Sequence, residues 1–305
     1  MILNFIIFFV GLYVLIKGSD KFIFHIKLVA ESFKVSEYVI GLILASIATT
    51  LPEITVSIIA SLQGDSSLAL GNALGSVLVN ISLILGICSF FKPMKVDEKA
   101  WRNSFFLLLI TTFLWFLMID SIISRIEGFI LIIIYVVFLF RVYKDNKKIE
   151  EEDKNIKFPT RSIIWVFLSG LAIVIGARLL VTSAINIARS FGISEAIIGL
   201  TLVAFGTSLP EFANSITSVV KKLPNIGTGN VIGANIINIL IVVGLSSLIN
   251  PIKVEKNIVQ FILPLTLLVI FILTISLKRD NIIGRKTGFV LLLFYILFII
   301  GSFSL

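Results

Sequence analysis

One cysteine and one histidine in 305 residues leave the chain without the soft ligands and nucleophiles on which much protein chemistry depends. Cys88 stands alone in an apolar stretch, which excludes a disulfide framework and a thiolate metal site and makes it a packing residue. His25 has no second histidine, so a His-Glu-x-x-His zinc site is excluded; near the end of an apolar run it reads as an interfacial side chain. Charge is scarce too. Asp, Glu, Lys and Arg make up 14% of the chain against 57% hydrophobic residues, which excludes a large soluble domain. The N-terminus, Met1-Ile2-Leu3-Asn4, lacks a basic segment and a small-residue cleavage site, so its apolar run reads as a retained span rather than a signal peptide.

What is abundant is apolar length. With mean hydropathy at +1.07, apolar runs follow one another almost end to end, and a membrane-spanning helix needs only about 20 such residues. Lys, Arg, Gly and Pro punctuation predicts ten helices, at about 2–25, 37–61, 67–90, 102–119, 125–143, 161–188, 195–220, 226–249, 257–277 and 283–303. The mixed-charge run from Lys144 to Lys154 reads as a solvated linker, dividing the chain into 1–143, a linker over 144–160, and 161–305. Lys and Arg concentrate in alternate loops. One set holds Lys27, Lys34, Lys92, Lys95, Lys99, Arg102, the linker, Lys221, Lys222, Lys278, Arg279, Arg285 and Lys286; the other holds little beyond Arg125, Arg189, Lys253 and Lys256. The positive-inside rule makes the first set cytoplasmic and both termini extracellular, in a multi-pass protein of the cell membrane. The net charge of +8 is then a topology signal and requires no nucleic-acid partner.

The chain also repeats itself. An offset of 158 aligns Glu53 with Glu211, Pro52 with Pro210, Gly41 with Gly199, Asn72 with Asn230, Gly75 with Gly233 and Asn80 with Asn238, without a gap. From Phe33 to Ser89 about 20 of 57 positions are identical, including Ser36/Ser194, Glu37/Glu195 and Gly86/Gly244. Composition explains shared Leu and Ile, but not matched Pro, Glu, Asn and Gly at one offset. Five helices per half is an odd number, so the second copy enters the bilayer from the opposite side. The expected fold is therefore an all-α integral membrane protein of ten transmembrane helices in two inverted five-helix repeats, and such repeats meet near the midplane in secondary transporters.

The repeated motif reads Ser46-Ile47-Ala48-Thr49-Thr50-Leu51-Pro52-Glu53 in one copy and Ala204-Phe205-Gly206-Thr207-Ser208-Leu209-Pro210-Glu211 in the other. A proline inside a span has no N–H for the carbonyl four residues back, and its ring clashes with that carbonyl. Backbone freed in this way is tolerated in a membrane only where protein or an aqueous cavity lies against it, and a cation is one partner for its carbonyls. Thr49 and Thr207 lie four residues before the glutamates, on the same helix face. A second stripe follows, Asn72, Ser76 and Asn80 beside Gly75, with Asn230, Ala234 and Asn238 beside Gly233 as its counterpart. Every donor is oxygen, which suits hard cations. A carboxylate at the bilayer centre costs about 2.5–3.5 kcal/mol on insertion scales, so two matched intramembrane glutamates point to function. Ser57, Ser215 and Gly86 read as packing residues, and Asp20, Asp65 and Asp120, near helix ends, as solvated ones.

At these residues the chain resembles the cation/calcium antiporter superfamily, and within it the prokaryotic sodium/calcium exchangers. The family's Gly-Thr-Ser-Leu-Pro-Glu core is intact from Gly206 to Glu211 and varied from Ala48 to Glu53; its Gly-Asn-x-x-Gly-Ser helix start is intact from Gly71 to Ser76, with Ala234 replacing Ser in the second copy. The resemblance implies Ca2+ held between Glu53, Glu211 and the carbonyls of Thr49 and Thr207. It implies Na+ sites on the same glutamates with Thr49, Thr50, Ser76, Thr207, Ser208 and the carbonyls of Ser46 and Ala204, and Asn80 bordering the centre. Asn238 stands where many relatives carry Asp, which with Ala234 bears on the number of Na+ ions exchanged. The expected function is Na+/Ca2+ antiport by alternating access, extruding Ca2+, with Ca2+, Na+ and the lipid bilayer as partners, no cofactor and no protein partner. H+-coupled divalent-cation antiport is the alternative; an intramembrane enzyme or a channel has less to support it, and neither a serine–histidine pair nor a zinc motif at membrane depth is present.

Overall fold

The computed structural model describes residues 2–33, 35–64, 66–147, 159–190 and 204–304. The helices are α1 (Ile2–Ser32), α2 (Glu37–Thr49), α3 (Leu51–Leu62), α4 (Ser66–Phe91), α5 (Lys99–Leu117), α6 (Arg125–Lys147), α7 (Thr160–Ser190), α8 (Ala204–Thr207), α9 (Leu209–Val220), α10 (Pro224–Ile249), α11 (Ile258–Asp280) and α12 (Arg285–Ser304). Among the described residues seven of these are long and apolar enough to cross a membrane, and the bent pair α2 and α3 makes an eighth. The first helix runs seven residues beyond the expected end near 25; its Phe22, Ile23, Ile26 and Val29 are buried, so packing carries it past Lys27 and Glu31. The opening of the helix expected over 195–220, the repeat partners Phe191, Ser194, Glu195 and Gly199, most of the linker, Lys34 and Asp65 lie outside the described residues.

The apolar pattern is inverted relative to a protein in water. Large apolar side chains such as Phe9, Phe116, Phe140, Phe167 and Ile300 are exposed, while Ser, Thr, Asn and Glu fill much of the interior. Helices α4 and α10 form the centre, with 72% and 78% of their spanning windows buried, against 22% for α1 and α6. Glycine permits the closest approach to them: a Cβ on Gly233 would lie 2.1 Å from the Leu42 carbonyl, and one on Gly229 would lie 2.3 Å from that of Tyr38. Residues 79–85 of α4 and 238–242 of α10 widen into π-helical turns beginning beside or at the matched asparagines Asn80 and Asn238. Such turns rotate the side chains that follow and recur at functional sites.

Two short antiparallel pairs tie the loops together. Strand β1 (Met94–Lys95) pairs with β4 (Ile282–Ile283), and β2 (Ile122–Ile123) with β3 (Ile252–Lys253). The first pair marks one end of the bundle, where Lys92 Nζ also donates to the Val219 carbonyl and the Asp97 amide to Asn225 Oδ1. The second marks the opposite end, where Ser66 and Ser67 donate to the carbonyls of Pro251 and Lys253. Lys92, Lys95, Lys221 and Lys222 thus gather at one end and Lys253 at the other, matching the two loop sets.

Candidate ion-binding site

The site begins at a broken helix. Pro52 has no N–H, so the Ala48 carbonyl loses its helical donor, and the ring crowds the same turn. The chain bends by 44° between α2 and α3 at Thr50, whose φ of −85° and ψ of 0° leave the helical well. Bonding survives on either side, from the Thr50 amide to the Ser46 carbonyl at 2.9 Å and from the Ile54 amide to the Thr50 carbonyl at 3.1 Å. Ser208, before Leu209-Pro210, repeats the geometry with φ −89° and ψ 7°. The two interruptions set Glu53 and Glu211 in the first turns of α3 and α9, where the helix dipole favours negative charge.

Both glutamates are fully buried. Thr50 Oγ1 donates to Glu211 Oε1 at 3.2 Å, so the first motif touches the carboxylate of the second. Neither carboxylate oxygen of Glu53 nor Oε2 of Glu211 has a hydrogen-bond partner among the described residues, and the same holds for Ser76 Oγ, Ser208 Oγ and Asn80 Oδ1. Two acceptor-only carboxylates surrounded by further unpaired oxygens are costly in a dry interior unless positive charge joins them. Asn72 Nδ2 reaches Ser57 Oγ at 3.0 Å and the Glu53 carbonyl at 3.4 Å, bracing the turn that carries Glu53. Across the centre, Thr49 Oγ1 donates to Asn230 Oδ1 at 3.0 Å.

Ser46, Thr49, Thr50, Ser76, Asn80, Ser208 and Asn238 are all buried, and Thr207 is half-buried beside the second break. The Ser46 hydroxyl donates to the Leu42 carbonyl at 2.6 Å, and its backbone carbonyl accepts from the Thr50 amide at 2.9 Å. Ala204 opens α8, one turn before that break. Ala234 is fully buried. Asn238 is buried with both amide atoms unpaired among the described residues. Among the described residues no three His, Cys, Asp or Glu side chains come together, so the charge of the site is that of two carboxylates, completed by neutral oxygens.

Reading by matched pairs missed Asn235. It is fully buried and accepts from Asn80 Nδ2 at 2.9 Å, which turns Asn80 Oδ1 away from it. Its repeat partner is Val77, so symmetry gave no signal; the spacing of three to Asn238 was the available one. Asn214, one turn beyond Glu211 and matched to Val56, is likewise buried and was missed for the same reason. Asp20, expected to be solvated, keeps a side chain 43% exposed and pairs with Lys221 at 3.1 Å. His25 stacks on Trp165 with ring centroids 5.7 Å apart, and Cys88 packs in the core.

One cavity reaches the motifs at Pro52, Thr207 and Pro210. It holds about 360 Å³ between α3, α7, α8 and α9, is lined mostly by apolar groups, and is bounded by Pro52, Thr55, Arg178, Thr207 and Pro210.

Comparison with known proteins bears on what this arrangement does. The family model described as "Sodium/calcium exchanger protein" matches residues 3–144 and 161–304. Sodium/calcium exchanger MaX1 of Methanosarcina acetivorans is 31% identical over 344 residues, covering 98% of each chain. Membrane protein MJ0091 of Methanocaldococcus jannaschii is 35% identical over 292 residues, covering 95% of each. A solved structure of the sodium-calcium exchanger NCX_Mj, soaked with 2.5 mM Na+ and 10 mM Sr2+, superposes with a TM-score of 0.88 at 33% identity, covering 97% of each chain.

Proposed function

Because the chain belongs to the sodium/calcium exchanger protein family, we propose that it is a secondary antiporter that exchanges Na+ for Ca2+ across the cell membrane by alternating access and extrudes Ca2+ from the cytoplasm. The observation that carries this reading is the buried pair Glu53 and Glu211, with three of four carboxylate oxygens unpaired among the described residues. Ionised, the pair bears two negative charges, which balance one Ca2+ or two Na+. An uncompensated double charge is expensive to carry through a low-dielectric core, whereas a neutralised site is not. The protein therefore changes its exposed face when loaded and resists doing so when empty, and that difference makes exchange obligatory.

Ca2+ takes the oxygens of Glu53 and Glu211 with the carbonyls of Thr49 and Thr207. Na+ takes the same carboxylates with Thr50, Ser208, Ser76 and the carbonyls of Ser46 and Ala204, and Asn80 and Asn238 border the centre. Overlapping ligands make the two ions competitors. With Ala234 in place of a hydroxyl and Asn238 in place of a carboxylate, a balance of two Na+ per Ca2+ satisfies the charge count.

The frame for this chemistry is ten spans in two inverted five-helix repeats, 1–143 and 161–305, joined by a cytoplasmic linker over 144–160, with both termini extracellular. Supporting it, β1 and β3 are 158 residues apart and each pairs with the other half's strand. Gly11 on α1 packs on Gly176 and Leu180 of α7, while Gly18 packs on Ser169 and Ile173; exchanging 11 with 169 and 18 with 176 maps one contact onto the other. The segregation of basic residues supports the orientation.

The test is coupling. Vesicles loaded with Na+ should take up 45Ca2+ when diluted into Na+-free medium, and should do so with the pH gradient collapsed. Uptake driven by a pH gradient alone, indifferent to Na+, would replace this reading with H+-coupled antiport.

A further inference from the structure

The inference here rests on the exchanger reading and deepens it. The 158-residue offset extends without a gap back through α1 and α7, pairing Gly18 with Gly176, Ser32 with Ser190, and Asp20 with Arg178. The mirrored glycine contacts of α1 and α7 make these positions structural equivalents on opposite ends of the bundle. Their charges are opposite and so are their surroundings.

At the basic end, Asp20 pairs with Lys221 at 3.1 Å, and Lys221 Nζ also donates to the Asp20 carbonyl at 2.7 Å. Ser19 donates to the Ala213 carbonyl and to Thr217 Oγ1, both at 2.9 Å, so α1 is tied to α9 and closes that approach. At the other end the equivalents of Ser19, Thr217 and Lys221 are Ala177, Ile59 and Gln63, which cannot repeat these ties. There the approach is the cavity of about 360 Å³ that reaches Thr207 and both motif prolines, and Arg178 lines it. Arg178 is exposed and makes no ion pair or hydrogen bond among the described residues.

We propose that Arg178 is an electrostatic selector at the outward entrance to the carboxylate pair, raising the concentration of external Ca2+ needed for binding more than that of external Na+. Coulomb repulsion scales with ion charge, so a fixed guanidinium opposes a divalent cation twice as strongly as a monovalent one at the same distance. At the cytoplasmic entrance the matched position is a carboxylate, Asp20, whose charge offsets that of Lys221 at 3.1 Å, whereas the Arg178 guanidinium has no such counter-charge among the described residues. The two entrances are therefore unequal, and the inequality favours outward release of Ca2+ over its return.

The experiment measures initial 45Ca2+ uptake into Na+-loaded, right-side-out membrane vesicles as external Ca2+ is varied, and its inhibition by external Na+. At ionic strength near 20 mM, Arg178→Gln should lower the KM for external Ca2+ about fivefold and, read at external Ca2+ well below KM in both proteins, the half-inhibiting Na+ concentration about twofold, the square-root ratio set by the charges. Arg178→Glu should go further, and Arg178→Lys, which keeps the charge, should match the unsubstituted protein. Both shifts should collapse near 0.5 M choline chloride, where the Debye length is only about 4 Å. Equal shifts for the two ions, shifts insensitive to salt, or no shift in a protein that still exchanges would each overturn the selector while leaving the exchanger intact. Absence of Na+-driven uptake in the unsubstituted protein would overturn the exchange reading itself.

Discussion

Glu53→Gln separates the two things a buried carboxylate does here, binding an ion and repelling its neighbour. Glu53 is fully buried with both oxygens unpaired among the described residues, and Glu211 has one bond, from Thr50. Removing one charge of a buried, compensated set costs about 3–5 kcal/mol. At about 1.4 kcal/mol per decade, Ca2+ affinity should fall by a factor on the order of 100 or more. The ion-free protein should move the other way, because two carboxylates no longer oppose each other in a dry interior. Thermal unfolding in detergent reads both effects. For the unsubstituted protein, Ca2+ at about 100 times Kd contributes about 2.7 kcal/mol. At roughly 2 °C per kcal/mol for a chain of this size, the midpoint should rise by about 5 °C. Glu53→Gln should unfold at a higher temperature than the unsubstituted protein in Ca2+-free, Na+-free buffer and show almost no further rise with Ca2+. An undiminished Ca2+-dependent rise in the variant would refute the reasoning.

Three further perturbations follow from the same geometry. Ala234→Ser adds a hydroxyl at a fully buried position matched to Ser76, and should raise apparent Na+ affinity by a few-fold, a hydrogen-bond-sized effect, and steepen the Na+ dependence of flux. Gly233→Ala puts a Cβ 2.1 Å from the Leu42 carbonyl and should destabilise by about 1–3 kcal/mol in thermal unfolding. Gly284→Ala, which meets nothing within 4 Å, should stay within about 0.5 kcal/mol. Thr50→Val removes the charge-assisted bond to Glu211 and should lower the unfolding midpoint in Ca2+-free buffer by the equivalent of about 1.5–3 kcal/mol, whereas Thr50→Ser should hold it.

Apolar length alone located most helices, because the bilayer leaves little choice of element, and helices α4, α10 and α11 begin and end within a few residues of their expected bounds. The bend at Thr50 was legible from Pro52, whose missing N–H acts on local backbone. The strand pairs were not, since two residues carry no periodicity. Thr50 reaching Glu211, and Thr49 reaching Asn230, depend on how the halves meet, which the offset implies only as a region. Asn235 and Asn214 were hidden for the opposite reason. These polar side chains stand opposite Val77 and Val56, where the two halves have diverged and the repeat carries no signal. The Asp20–Lys221 ion pair was not legible because the two residues are distant in sequence, although the Asp20 side chain is partly exposed to solvent, as expected.

The central claim is that Glu53 and Glu211 together form the site through which Na+ is exchanged for Ca2+. The most direct measurement is 45Ca2+ uptake into Na+-loaded proteoliposomes containing the unsubstituted protein, Glu53→Gln or Glu211→Gln, each with folding verified by gel filtration. The account predicts uptake that depends on the Na+ gradient in the first and none above protein-free vesicles in either variant. Full uptake by either glutamine variant would contradict it.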